Sequence, residues 1–294
     1  MKRKRKFGDR KDGFRVRDIT GMTQIMLDIK PKRSVSDVYI NQKMDVTKLC
    51  EYIEKKKKNG EKITYFHAFV TAIGKLLYNR NKLNRFIANR HVYEHYDVVI
   101  SFVAKVEFND ASEEMMVLVN IDPDDNLESI SKKIKEKVDS FRNSKEINKK
   151  GANNIIDVLA KFPNFLRIPV VGFLKHLDKK GKLPASICED NLYYSSIIVS
   201  NLGSIGCGAI FHNITDFGAC SSLATMGEIE TIVDMDEEGK KRERKLCEFG
   251  VNLDERIADG YYFAKSLQML QYIFDNPELM EEKSSDKVIM GESK

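Results

Sequence analysis

The sequence predicts a two-layer α/β sandwich of the α+β kind, in which helices cover one mixed β-sheet. Segments of strand character return after helices of different lengths, which disfavours a regular parallel βαβ array and fits a mixed sheet. The helical segments carry one apolar stripe each, as helices lying on a sheet do. With 294 residues, 42% of them hydrophobic, the chain can bury a full core. It shows no internal repeat.

In chain order, Val35 to Asp45 alternates as a strand, and Asp45 suits the N-cap of a helix carrying Val46, Leu49, Cys50 and Ile53 that Asn59-Gly60 closes. A second helix runs from about Tyr65 to Tyr78, with Thr64 as its cap and Phe66, Phe69, Val70, Ile73 and Leu77 on its buried face. His91 and His95 flank Tyr93 in an expected surface hairpin. Asp97 to Phe108 and Met115 to Ile121 are rich in Val, Ile and Phe and read as buried strands of one hairpin. The polar stretch from Asn126 to about Lys149 reads as a surface helix. Leu192 to Ser200 is a further strand, and Glu228 to Leu253 reads as two strands joined at Glu238-Gly239. A last helix, Gly260 to Phe274, presents Phe263, Leu267, Leu270 and Phe274 on one face and stops before Pro277. This divides the chain into a basic disordered tail (1–14), a single domain (15–281) holding an apolar insertion at 150–180, and a frayed tail (282–294).

The net charge is +5, and Lys2, Arg3, Lys4, Arg5 and Lys6 supply much of the excess, so the body is close to balanced. Such a tail is expected to be solvated, and neither nucleic acid nor a membrane is an expected partner. No apolar segment follows it as in a signal peptide, and no apolar run approaches the roughly 20 residues of a membrane span, so a cytoplasmic protein is expected. Cys50, Cys188, Cys207, Cys220 and Cys247 are odd in number and lack CxxC spacing, which argues for reduced thiols, several of them buried, and against a disulfide framework or a zinc site. No metal is expected. The glycine cluster from Gly203 to Gly208 matches neither GxGxxG nor the P-loop spacing.

Two segments carry chemistry. Leu253-Asp254-Glu255-Arg256-Ile257-Ala258-Asp259-Gly260 resembles the HxxxDG active-site motif of the CoA-dependent acyltransferases, with Glu255 in the place of the histidine and Asp259-Gly260 matching. Val199-Ser200-Asn201-Leu202-Gly203 resembles the SNLG segment that precedes that motif in the dihydrolipoyl acyltransferases of 2-oxo acid dehydrogenase complexes. Weaker similarity joins Ile63 to Asn84 and Met115 to Ile130 to the same family, which includes the chloramphenicol acetyltransferases, and the likeness spans roughly Asp18 to Leu279.

The resemblance implies a chloramphenicol-acetyltransferase-like fold, a homotrimer, and a channel between subunits in which CoA and the acyl acceptor meet. It implies that Ser200 donates its hydroxyl to the oxyanion, a contact worth roughly 2.7–4 kcal/mol in other oxyanion holes. It makes Asp259 a brace held by a charge pair. It puts Glu255 in the role of the base, at a cost. A thiol near pKa 8.5 meets a mismatch of roughly two units with an ordinary His and roughly four with an ordinary Glu, a further cost of about 3 kcal/mol. Burial of a carboxylate can offset that. The other reading is a carboxylate bonded to Arg256 or another cation with no thiol nearby, and the residues leave both open.

His212, in Phe211-His212-Asn213, is the other imidazole placed to act as a substitute base, and the plain alternative is a polar loop residue. Ser200 lies outside a GxSxG elbow, so a hydrolase triad has no support. The chain has only 6 prolines and neither a lipoyl domain nor an Ala/Pro-rich linker, so it carries no lipoyl group itself. The expected function is acyl transfer between CoA, or acyl-CoA, and a thiol or hydroxyl acceptor, which a lipoyl-bearing partner would supply in the family. The competing one is an inactive, oligomeric binding or scaffold protein. The segment Ile155 to Leu177 is an apolar insertion relative to the family, read in order of preference as a cap over the channel, an added subunit contact or a membrane-surface helix, with ordinary core as the plain alternative.

Overall fold

The computed structural model describes residues 4–105, 114–143, 158–189, 191–235 and 239–291. A six-stranded sheet holds β2 (Asp37–Asp45), β5 (Val98–Lys105), β6 (Glu114–Ile121), β7 (Ile197–Asn201), β8 (Ser222–Met235) and β9 (Lys241–Asp254) in the order β2-β9-β8-β7-β5-β6. The sheet is mixed: β7 runs parallel to both β5 and β8, and the other pairs are antiparallel. A smaller sheet joins β1 (Gly13–Arg15), β4 (His91–His95) and β3 (Arg85–Ala88). Helices α2 (Thr47–Lys58), α3 (Tyr65–Asn79), α4 (Leu127–Asn143) and α7 (Gly260–Asp275) cover one face of the large sheet. The predicted two-layer sandwich is the observed one.

The caps explain where the helices begin. Asp45 Oδ1 accepts from the Thr47 N–H (2.9 Å) and hydroxyl (2.6 Å) at the head of α2, and Thr64 Oγ1 accepts from the His67 N–H (3.2 Å) at the head of α3. The buried stripe of α3 includes Phe69, Val70, Ile73 and Leu77, and Phe69 meets Phe249 of β9 at 5.1 Å between ring centroids. Val251 and Leu253 of β9 and Ile197 and Val199 of β7 point into the same core. Strand alternation then turns Ser200 and Asn252 to the other face. Three of the five cysteines are buried, and all five are free thiols.

Both chain ends depart from the expected tails. Arg10 is buried, makes paired 2.8 Å bonds to Asp12, and donates to the carbonyl of Asp178 (2.6 Å), just before β1 joins β4. At the other end, Ser284 and Val288 are buried, the Ser284 hydroxyl donates to the Asp125 carbonyl (2.8 Å), and the buried Lys75 ammonium donates to the Lys283 carbonyl (2.8 Å). A buried ammonium must find an acceptor, so residues 282–291 are held rather than frayed. His95 is likewise no surface residue. Its ring nitrogens lie 3.2 and 3.0 Å from the carbonyls of Asp12 and Ala219, and burial pushes its imidazole below the usual range.

Burial alone would raise the Asp12 carboxyl, but the hydrogen bonds and charge of Arg10, with His95 nearby, outweigh it and hold the group below the usual carboxylate range. A depressed native pKa gives stability that is present above the unfolded value of about 4 and lost as pH falls through the native one. Asp12→Asn is therefore expected to cost about 1.5–3 kcal/mol at pH 7, the worth of a hydrogen bond to a charged group. In urea melts across pH, its deficit should vanish in strong acid, where Asp12 itself is neutral.

The apolar insertion falls partly outside the described residues, at 155–157. Most of the rest forms α5 (Asn164–Lys179), which the short α6 (Ala185–Cys188) follows. Phe165, Ile168 and Phe173 are 74%, 65% and 60% exposed, so this segment is not ordinary core. Its last turn holds its one buried residue. Asp178 is buried and accepts from the Tyr194 hydroxyl (2.6 Å) and the Gly218 N–H (2.9 Å).

Candidate active site

Glu255 follows the last residue of β9, where two buried contacts fix the backbone. Its N–H donates to the Ser36 carbonyl (2.9 Å), and the Asp254 N–H donates to the Ser221 carbonyl (2.9 Å). Arg256 does not pair with Glu255. It grips Asp254 through two bonds of 2.8 and 2.7 Å, both side chains being buried, and donates to the Lys30 carbonyl (2.9 Å). A planar guanidinium on a carboxylate is the most orienting ion pair available. The partner of Glu255 is the ammonium of Lys30, directly after α1 (Gly21–Ile29), and each of these side chains is about one-third exposed. Glu255 thus lacks, within one chain, the desolvated pocket that a carboxylate base needs.

Asp259 is exposed and caps α7, accepting from the Tyr262 N–H (2.8 Å), and among the described residues no cation lies within ion-pair distance of it. The charge pair of this corner belongs to Asp254 and Arg256. Removing one member of a buried pair costs about 3–5 kcal/mol. Arg256→Met is accordingly expected to lower the unfolding free energy by about that much, measured in denaturant, and to loosen Glu255 with it.

Ser200 lies on β7 opposite Thr225 of β8, which in turn lies opposite Gly250 of β9. Among the described residues its hydroxyl makes no hydrogen bond, whereas the neighbouring Thr225 hydroxyl donates to the Ile210 carbonyl (2.6 Å). Ser200 therefore stands on the helix-free face of the sheet with a donor to offer. Glu255 is five residues beyond Gly250 along β9, two strands away from Ser200. With about 3.3 Å per residue and about 4.8 Å per strand, the two are roughly 20 Å apart. No single acyl carbonyl reaches both within one chain.

Between them runs the loop from Gly206 to Cys220, pressed flat on β8 and β9. Glycines at the landing points permit it. A Cβ on Gly227 would sit 2.7 Å from the Ala209 nitrogen, and one on Gly250 would sit 2.6 Å from the Ile210 carbonyl oxygen. His212 rides on this loop, exposed, its carbonyl taking a 2.7 Å bond from Asn252. Asn252 lies two residues past the level of Ser200 and three before Glu255, so the imidazole belongs to the same face without touching either. The glycine cluster itself forms a 3-10 turn, Gly203–Ile205, and opens no helix. A cavity of about 210 Å³ lies beside the Glu255 corner, bounded by Arg33, Asp254 and Arg256 on one side and by Lys175, Asp178 and Lys179 of α5 on the other. Among the described residues no group of three or more His, Cys, Asp or Glu is gathered for a metal ion.

No family model and no curated protein matches this chain. Solved structures do. A chloramphenicol acetyltransferase superimposes with a TM-score of 0.57 at 9% identity, over 89% of this chain and 99% of the other. The cubic core of a pyruvate dehydrogenase multienzyme complex superimposes with a TM-score of 0.51 at 15% identity, over 90% and 93%. The fold is that of the CoA-dependent acyltransferases. A probable dihydrolipoamide acetyltransferase from Listeria monocytogenes adds a TM-score of 0.50 at 18% identity, over 88% and 93%. At these identities the acyltransferase likeness speaks for the fold.

Sequence reasoning missed Lys30 and the Asp254–Arg256 pair. For the pair there was a local signal, since a carboxylate and a guanidinium two residues apart at a strand end can close on each other. For Lys30 there was none, because 225 residues separate it from Glu255.

Proposed function

We propose that the protein moves an acyl group between CoA and a thiol or hydroxyl acceptor at a site completed by two copies of the chain. One observation carries this reading. Among the described residues the Ser200 hydroxyl is unengaged and the Glu255 backbone is buttressed, yet the two lie two strands and five residues apart along one sheet, roughly 20 Å. A cyclic assembly brings the Ser200 end of one copy to the Glu255 end of the next, and the burial would desolvate Glu255. The apolar strip Met22, Ile25 and Ile29 of α1 is exposed and leads directly to Lys30, which places an unfilled contact surface beside the site.

In that site the Glu255 carboxylate takes the acceptor's proton, and the thiolate or alkoxide adds to the thioester carbonyl. Ser200 donates to the oxyanion. Collapse expels the CoA thiolate, which recovers the proton from Glu255. The Lys30 pair must open first, and at the exposure it has in a single chain such a pair holds by only about 0–1 kcal/mol. The acceptor is a small thiol or hydroxyl compound or a lipoyl-bearing partner. The trimeric assembly and a cytoplasmic location belong to the same reading.

A catalytically silent scaffold is the second reading, and the Lys30 contact favours it, because a carboxylate held by an ammonium is a weaker base than a free one. Mixing separates the two. Ser200→Ala and Glu255→Gln chains, each inactive alone, are expected after joint refolding at equal ratio to recover about a quarter of the parental acyl transfer, since random cyclic assembly makes one interface in four intact. No recovery from mixed oligomers, or a persistent monomer by light scattering, would rule out the shared site.

A further inference from the structure

We propose that α5 docks this protein on an anionic lipid bilayer surface, with its outer face in the headgroup region and the basic residues around it on the lipid phosphates. In a helix packed on a protein the apolar stripe faces inward. In α5 the outward face is apolar as well. Phe165, Ile168 and Phe173 point out into solvent, while Arg167, Leu174 and Leu177 are the half-buried positions and Asp178 is buried. Phe162 and Leu166 extend the apolar surface toward the helix start.

Charge decides between a bilayer and a second copy of the chain. From 158 to 183 the segment carries Lys161, Arg167, Lys175, Lys179, Lys180 and Lys182 against the single acid Asp178. That acid is spent: its carboxylate holds Tyr194 and Gly218 and lies 3.6 Å from Arg10. Arg10 also donates to the Asp178 carbonyl, and so ties the N-terminal segment to the end of this helix. There Lys4, Arg5, Lys6 and Lys11 are exposed, and Phe7 is fully so. The helix thus carries bare aromatic and aliphatic side chains, and its C-terminal end, where the N-terminal segment is tied, is rich in cations. Two copies meeting through this same face would repel, whereas an anionic membrane complements it. Apolar residues on one face with Lys and Arg around them are what interfacial helices use, and each basic residue strengthens binding to an anionic surface by roughly fivefold.

The helix lies on the membrane and does not cross it. Its 16 residues span about 24 Å, short of a hydrocarbon core of about 30 Å. No described helix is long and apolar enough to cross. This revises the expectation from the sequence that a membrane is not a partner, and it ranks the surface helix above the cap and the subunit contact. The last turn of α5, which walls the cavity beside Glu255, would then hold the candidate site close to the lipid.

The test is flotation of the full chain with vesicles of phosphatidylcholine alone and with one-quarter phosphatidylglycerol. The parent is expected to bind the anionic vesicles at least tenfold more than the neutral ones, and to release in high salt. Phe165→Ser/Ile168→Ser/Phe173→Ser changes exposed positions only and is expected to bind at least tenfold less, with oligomeric mass unchanged. Lys179→Glu/Lys180→Glu/Lys182→Glu is expected to lose more than a hundredfold. Absence of parental binding, equal binding to both vesicles, or an apolar triple variant that binds as the parent does would overturn the proposal. So would a parent that ignores vesicles and a triple variant that falls apart into monomers, which would assign the face to a second copy.

Discussion

Ser200→Ala is expected to lower acyl transfer about a hundredfold or more in kcat while leaving the KM for acyl-CoA nearly unchanged, because an oxyanion donor acts in the transition state and little before it. The structure sharpens this expectation through what Ser200 does not do. Its hydroxyl makes no hydrogen bond among the described residues, whereas Thr225 beside it is committed to the Ile210 carbonyl. Deleting the Ser200 hydroxyl strands no buried partner, so the melting temperature should hardly move. Thr225→Val should do the reverse, costing about 1 kcal/mol of stability by freeing the loop carbonyl. A Ser200→Ala enzyme with parental kcat, or one that loses activity only in proportion to lost folded protein, would remove Ser200 from the chemistry.

The elements that were legible are those whose causes are local. Helices α2 and α3 announce themselves through Asp45 and Thr64 at their heads and through apolar stripes at helical spacing, and α7 ends where Pro277 forbids continuation. Strand β8 starts at Ser222, six residues before the predicted Glu228, because Ser-Leu-Ala-Thr-Met-Gly is buried on both faces and shows no alternation to read. The loop over Gly227 and Gly250 was hidden for a related reason: glycine inside a strand pattern signals close approach but not by what. Arg10 with Asp178, Lys75 with Lys283 and His95 with Ala219 join residues more than 100 positions apart, and each turned an apparent surface group into a buried one. The site shows the same division. Glu255 and Ser200 were found by motif, but their separation follows from strand register, and the Lys30 contact follows from tertiary packing alone.

That contact sets the largest expected effect. If Glu255 is the base, Glu255→Gln abolishes transfer, because the amide keeps the shape and cannot take the proton. Lys30→Ala then raises the rate, by up to about fivefold, since the ammonium that stabilises the carboxylate is gone and an exposed pair is worth up to about 1 kcal/mol. A simple positioning role for Lys30 predicts a fall instead, so the sign of the change separates the two. The silent reading predicts a parent that transfers no acyl group from any common CoA thioester and a Glu255→Gln chain indistinguishable from it. In that case Glu255→His/Lys30→Ala is the informative variant. It replaces a carboxylate by a base about two pKa units better matched to a thiol, worth up to about a hundredfold, and removes the cation that would oppose imidazolium formation. A parent that is active yet indifferent to Glu255→Gln would defeat both readings. His212 then becomes the base to test, and a rate lost in His212→Ala but kept in His212→Ala/Glu255→Gln relative to it would place the proton on the loop over Asn252.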